Sequence, residues 1–520
     1  MIPFDASGAF CPENGGHELR RLAVRGAAAT VSASALALGA QVVSTVILAR
    51  LLMPADFGVV TMATTFSLLL ASFGLNGFMD AVIQFEEMDQ YTASNLFWLN
   101  SGVGLLLAIV FAAAGSLLAR FYGNPLVRNV AAGLSIGIFI AALSVIHQAL
   151  LKRAMRFGGT SANDVIGRVI NTAVSILLAL KGWGYWALVA GIVAQQLSVT
   201  IGAWWLCRWV PSMPRRTAKT SEAVWFAAKV YGRFCLGYST QNIDNLLVGW
   251  RFNAVALGFY KKAYDLFALS GSQLIAPLHN VALASLSKLN RDAVRFRRYL
   301  ANSLGIIAFV GMAVSADLTL IGNDVVRLVL GPQWSESSRI FELFGPGIGV
   351  MLLCGAIGWI HLSLGKPGRW FHWSVVELGL TVSLFLVALR WGPEGIAAAW
   401  SLSYWTLLIP GFWYAGRPIG FGVSTLIAAI WRYAAAALIA GLASAVIVRG
   451  TQFWGTPSGA SAALYAIIII STLFVALYLG LVILFHRGLA PLRQLASLVR
   501  ELTPSQRGST MAAEAAGAYK

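Results

Sequence analysis

The chain of 520 residues is 58% hydrophobic and only 11% charged, with a mean hydropathy of +0.72; this excludes an ordinary soluble domain, in which about a quarter of residues are charged. The formal net charge of +17 does not mark a nucleic-acid surface, because the basic residues sit in short loops between apolar runs, the pattern of a polytopic membrane protein. Four scattered cysteines, Cys11, Cys207, Cys235 and Cys354, have no metal-ligand spacing and read as inert packing residues.

In chain order, residues 1–25 form a polar tail ending in Arg20, Arg21 and Arg25. The apolar run 26–49 is long enough to span, since about 20 residues cross the hydrocarbon core. It is too long for the apolar core of a cleaved signal peptide. Further spans are expected at 57–79, 92–119, 127–150, 164–180, 184–207, 226–250, 260–286, 299–322, 338–363, 373–389, 393–413, 423–448 and 461–485. The expected fold class is all-α, with about 14 transmembrane helices; the Lys181-Gly-Trp-Gly break leaves 13 or 12 as alternatives. Basic residues concentrate on the N-terminal side of this topology, in loops such as Lys152 to Arg156, Arg208 to Lys219 and Lys288 to Arg298. The positive-inside rule therefore places both termini in the cytoplasm. The loop from Asp80 to Asp89 is acidic and contributes nothing to this assignment.

One stretch departs from the apolar pattern. From Lys229 to Arg251 the chain is too polar for an ordinary anchor and too apolar for a loop. At about 100° per residue, Lys229, Arg233, Thr240, Asp244 and Arg251 fall on one narrow stripe of a helix. Lys261, Asp265, Ser272 and His279 form a second such stripe on the next helix. A charge facing lipid at membrane depth costs about 2.5–3.5 kcal/mol, so both stripes should face protein or water. Arg233 and Arg251 are equally well placed to snorkel to opposite surfaces. Asp244 is too deep for that; a paired structural carboxylate is the alternative for it.

Compared with itself at a shift of 200 residues, the chain aligns Gln41 with Gln241, Ala49 with Gly249, Gly58 with Gly258 and Ala63 with Ala263. Both copies occupy a helix, a short turn and the start of a second helix. This spacing divides the chain into a tail (1–25), a first six-helix lobe (26–207), a linker (208–225), a second lobe (226–413), an extra helix pair (423–485) and a second tail (486–520), with a central cavity between the lobes. Parallel repeats of this kind are related by an axis along the membrane normal.

The segments Arg50-Leu-Leu-Met-Pro-Ala-Asp-Phe-Gly58, Gly74-Leu-Asn-Gly77, Asn242 to Gly249, Gly258 to Tyr264, Pro277 to Ser285 and Gly331-Pro-Gln-Trp334 resemble polysaccharide exporters of the Wzx type. The likeness is closest to the colanic-acid-exporter-like branch of the multidrug/oligosaccharidyl-lipid/polysaccharide superfamily. It implies a bacterial inner-membrane flippase that carries an undecaprenyl-pyrophosphate-linked oligosaccharide across the bilayer by alternating access. No enzyme activity and no cofactor are expected, since the outer loops are short and His147, His279 and His361 have no carboxylate at recognisable spacing.

The residues themselves suggest how this is done. A lipid pyrophosphate cannot cross hydrocarbon bare and needs a wet, cationic path. Arg233 and Lys229 are the candidate pyrophosphate ligands, with Arg168 contributing from the first lobe; Arg can grip phosphate bidentately. Asp244 would balance Arg233 or exchange a proton, and Lys261 and Lys262 are further candidates. Gly345, Gly347 and Gly349 beside Pro346 read as helix-packing residues, with a gating break as the alternative. Trp183, Trp250, Trp370 and Trp391 read as interface anchors. Gly365-Lys366 lacks the rest of a phosphate loop, so energy must come from a gradient or the membrane potential. A drug or small-cation antiporter of the same fold is the second reading, and it predicts a more acidic cavity. A membrane-embedded polymerase or ligase is the third, and would need a sizeable outer loop carrying catalytic residues. The partners implied are the lipid-linked oligosaccharide and the bilayer, with docking of a polymerase or chain-length partner left open. The C-terminal rhythm of Leu489, Leu492, Leu495 and Leu498 suggests a surface-lying segment.

Overall fold

A computed structural model describes residues 3–5, 8–10, 19–85, 88–215, 218–450, 460–489 and 491–493. The expected all-α class is what it shows. The helices are α1 (Leu19–Leu51), α2 (Pro54–Phe73), α3 (Met79–Gln84), α4 (Gln90–Tyr122), α5 (Leu126–Ala142), α6 (Val145–Arg153), α7 (Phe157–Leu180), α8 (Tyr185–Cys207), α9 (Ala218–Arg251), α10 (Ala254–Lys288), α11 (Ala293–Val329), α12 (Ser335–Ser363), α13 (Pro367–Ala388), α14 (Gly392–Gly416), α15 (Val423–Gly450) and α16 (Ala460–His486). A π-helical turn, Gly74–Phe78, joins α2 to α3, so one expected span is a broken rod. The pair α5 and α6 forms another. Eleven stretches of the described residues are long and apolar enough to cross a membrane; one of them, 368–419, holds both α13 and α14. The polar helices α9 and α10 are not among the eleven.

Local chemistry explains where the helices begin and end. Pro54 sits in the first turn of α2, and the Asp56 carboxylate accepts the Met53 N–H at 3.0 Å. Asp89 caps α4 by accepting from the Thr92 N–H. The Lys181-Gly-Trp-Gly break is a tight turn, with Gly182 and Gly184 at positive φ.

The chain divides into two compact units. The first comprises 1–263, 329–337 and 381–396. Its core holds Phe78, Val82, Leu96, Phe97, Ile146 and Leu150, with Trp209 of the linker. The N-terminal segment, which reads in sequence as a polar tail, contributes Phe4 to this core. Phe4 is buried against Phe10 and Trp209, Ala9 pairs with Asp89, and the Arg153 guanidinium lies 5.0 Å over the Phe10 ring. Two aromatic side chains separated by a short reversal supply enough apolar area to hold the segment down.

Helix α9 packs chiefly on α2, α3, α4 and the π-helical turn. Its Tyr231 and Tyr238 hydroxyls donate to the carbonyls of Leu69 and Thr65 at 2.8 Å each. Such bonds anchor a polar helix to a neighbour whose own backbone is already satisfied.

The second unit comprises 264–328, 338–380 and 397–520. Phe296, Leu304 and Ile307 of α11 pack with Leu353 and Ile360 of α12, Phe412 of α14 and Phe474 and Tyr478 of α16. Pro346 lies inside α12 without ending it. Ser401 donates to the Leu343 carbonyl and Ser315 to the Gly345 carbonyl, each at 2.6 Å. These bonds tie α14 and α11 to α12 beside its internal proline. A side chain at Gly345, Gly347 or Gly349 would strike Thr319, Ser401 or Gly311 respectively, so the three glycines serve packing. Leu489 is exposed, and Leu495 and Leu498 lie outside the described residues.

Candidate functional site at the crossing of α2 and α10

The internal repeat has a direct structural counterpart. Pro54 and Ala254 open α2 and α10, and Gly58 and Gly258 lie one turn on. A Cβ placed on Gly58 would lie 2.5 Å from the carbonyl carbon of Ala254, and one placed on Gly258 would lie 2.6 Å from that of Pro54. Because the two pairs are related by the same shift of 200 residues, the contact is reciprocal, as across a two-fold axis. The spacing of a small residue, three others and a glycine lets two backbones touch. The two helices therefore meet backbone to backbone.

Aromatic residues seal the same face in matching fashion. Trp334, in the turn after α11, is fully buried and donates its Nε1–H to the Ala49 carbonyl at 2.8 Å. Its ring packs edge-on against Phe57 and Phe259. Tyr122, at the end of α4, reaches Gly249, where a Cβ would lie 2.9 Å from its ring. Gly249 is the repeat partner of Ala49, so each half supplies an aromatic to the first helix of the other half. Trp334 was visible in the sequence as part of a motif, but nothing in its spacing pointed at Ala49.

Asp244, Lys261 and Lys262 sit close to this crossing in the chain. Asp244 is fully buried and accepts from the Tyr260 hydroxyl at 2.8 Å, which ties α9 to α10. Lys262 lies one turn beyond Gly258, is 9% exposed, and holds its ammonium 4.1 Å over the Phe57 ring. Lys261 is half-buried on the neighbouring face. Lys229 is exposed near the start of α9, and the side chains of Arg233, Ser272 and His279 lie outside what the structure describes.

Arg168 is exposed on α7, one turn from Asp164, whose carboxylate feels both Arg168 and Lys152. Helix α7 packs chiefly on α1, α6 and α8. The geometry thus brings Asp244 to Tyr260 and Lys262 to Phe57, and it places Arg168 on α7 and Lys229 on α9. Tyr260 and Phe57 escaped the sequence reading because an apolar ring gives no sign of the charged group it will meet.

The polysaccharide biosynthesis protein family matches residues 47–339, more than half of the chain. The chain belongs to this family. It is 22% identical over 341 residues to the succinoglycan biosynthesis transport protein ExoT of Rhizobium meliloti, spanning 65% of this chain and 69% of that protein. It is 20% identical over 378 residues to the lipopolysaccharide biosynthesis protein WzxC of Escherichia coli, spanning 71% and 75% respectively. Among solved structures, the lipid II flippase MurJ in an inward closed conformation superposes with a TM-score of 0.69 over 89% of this chain and 99% of that chain, at 15% identity. A multidrug resistance transporter of the MATE family superposes at 0.58 over 73% and 94%, at 14% identity. At these identities the likeness establishes the fold.

Within this polysaccharide biosynthesis protein the crossing is reciprocal in its backbone contacts, while the side chains around it differ between the copies. The partners of Lys229, Arg233, Asp244, Tyr260, Lys261 and Lys262 in the first copy are Ala29, Ala33, Ser44, Val60, Thr61 and Met62. None of these is ionisable. At these six positions the ionisable chemistry belongs to the second copy, while Arg50 and Asp56 of the first copy stand opposite Trp250 and Ala256 in the repeat.

Proposed function

We propose that this protein flips an undecaprenyl-pyrophosphate-linked oligosaccharide repeat unit from the cytoplasmic to the outer leaflet by alternating access of two pseudo-symmetric halves. The observation that carries the reading is a set of cations on α9 and α10 that the first copy lacks at the matching positions, in a chain of the polysaccharide biosynthesis family. Parallel repeats give two similar halves that can rock about the crossing, and the asymmetric charges give the anionic head group a path. Lys229 and Arg233 hold the pyrophosphate, Arg168 contributes from α7, and Asp244 balances the positive charge in the empty state. Lys261 and Lys262 lie next to the crossing, where Lys262 reaches substrate only once Phe57 moves away. The names of the relatives, which concern succinoglycan and lipopolysaccharide, support a polysaccharide precursor over a drug as cargo.

The test is complementation of a deletion strain, measuring lipid-linked oligosaccharide retained on the inner leaflet. Wild type should clear it. Lys229→Ala combined with Arg233→Ala should leave it in place at an unchanged level of inserted protein. Normal export by the double variant would remove the site assignment.

A further inference from the structure

A groove of about 1260 Å³ runs between α4 and α9 in the first unit, lined by Trp98, Leu99, Leu106 and Trp225 and by Arg215 of the linker. It exceeds the roughly 300–1,000 Å³ of an ordinary small-molecule pocket. Trp98, Leu106 and Trp225 are 46%, 59% and 67% exposed, an apolar wall of the kind that acyl chains can cover.

The polar end of the groove is built, not incidental. Ser212 is held by Ser94 through its N–H and its hydroxyl, each at 3.0 Å, and its carbonyl accepts from Trp98 Nε1 at 2.9 Å. Asn95 clamps the backbone of Arg215 from both sides, accepting its N–H at 2.9 Å and donating to its carbonyl. The Arg215 guanidinium is stacked 4.6 Å from the Tyr91 ring centre and donates to the Tyr91 hydroxyl at 3.1 Å. Tyr91 takes one of its five N–H donors, and the side chain stays exposed. In sequence Arg215 belongs to a basic run with Arg208, Arg216 and Lys219. Clustered cations directly beside a membrane helix are the usual mark of attraction to anionic lipid.

We propose that this groove binds an anionic phospholipid, with the phosphate on Arg215 and the acyl chains along the Trp98, Leu106 and Trp225 wall. Its occupant fixes the Arg215 segment against α4. A fixed guanidinium at the head of an apolar trough matches a molecule that carries one compact anion on long hydrocarbon chains.

The experiment is native mass spectrometry of the full chain released from nanodiscs of phosphatidylcholine containing a minor fraction of phosphatidylglycerol. The wild type should retain one phosphatidylglycerol in preference to phosphatidylcholine. Arg215→Ala should retain it roughly five-fold less well, the loss of one cation near the surface, and Arg215→Glu should retain none. Trp98→Ala should weaken retention of both lipids while keeping the preference. Equal retention by wild type and Arg215→Glu would overturn the proposal. So would recovery of a polyprenyl phosphate in place of phosphatidylglycerol when the protein is extracted from native membranes.

Discussion

Substituting Gly258 by Ala tests the crossing of α2 and α10 most directly. The added Cβ would sit 2.6 Å from the Pro54 carbonyl carbon, whereas carbon atoms pack at about 3.5–4.0 Å. The helices must therefore part by about 1 Å or more at a contact between two backbones, where no side chain can yield. Overpacking of this kind costs about 1–3 kcal/mol, which shifts the balance between closed and open crossings by roughly 5–150-fold. The assay is the labelling rate of Ala254→Cys by a membrane-impermeant maleimide, in a chain whose other cysteines have been replaced. Ala254 is 7% exposed, so labelling should be slow in the parent and faster by that factor with Gly258→Ala. The reciprocity makes a sharper prediction. Once one contact is prised apart the other is relieved too, so Gly58→Ala added to Gly258→Ala should accelerate labelling much less than the product of the single effects. Fully multiplicative effects, or an unchanged rate with Gly258→Ala, would refute a single two-fold contact.

Trp334→Phe should cost about 0.5–1.5 kcal/mol, the hydrogen bond to Ala49, whereas Trp334→Ala should cost about 3–5 kcal/mol; thermal unfolding in detergent should rank them so. Tyr260→Phe removes the hydroxyl that Asp244 accepts from and should lower stability by about 1–3 kcal/mol, with little further loss when Asp244→Asn is added. Lys262→Met gives the second copy the residue that Met62 supplies in the first; loss of the Phe57 contact should cost about 0.5–2 kcal/mol. Its protein should insert normally and clear less lipid-linked oligosaccharide in the complementation assay, and full activity would show that Lys262 serves the crossing alone.

The positions of the helices were legible because apolar length is a one-dimensional property. Each expected span overlies a helix or a broken pair of helices, and the anomalous polarity of α9 and α10 was plain. The repeat was legible only as a few aligned small residues. Gly58 and Gly258 acquire meaning when each meets a carbonyl from the other copy, and sequence does not record which backbones touch. Asp244 stood out by its chemistry, but its partner Tyr260 lies across a turn on the next helix. In sequence the N-terminal segment reads only as a polar tail because Phe4 and Phe10 are sparse in that context. Their burial depends on Trp209, some two hundred residues away.

The polarity of α9 also bears on how the chain enters the bilayer. A helix carrying Lys229, Arg233, Asp244 and a run of amides is a poor candidate for spontaneous partition from the translocon. Its hydroxyl bonds to Leu69 and Thr65 need α2 to be in place already, so synthesis order and assembly order coincide. Membrane entry of the second half should then depend on a completed first half, and truncations lacking α2 should leave α9 stranded at the interface or degraded.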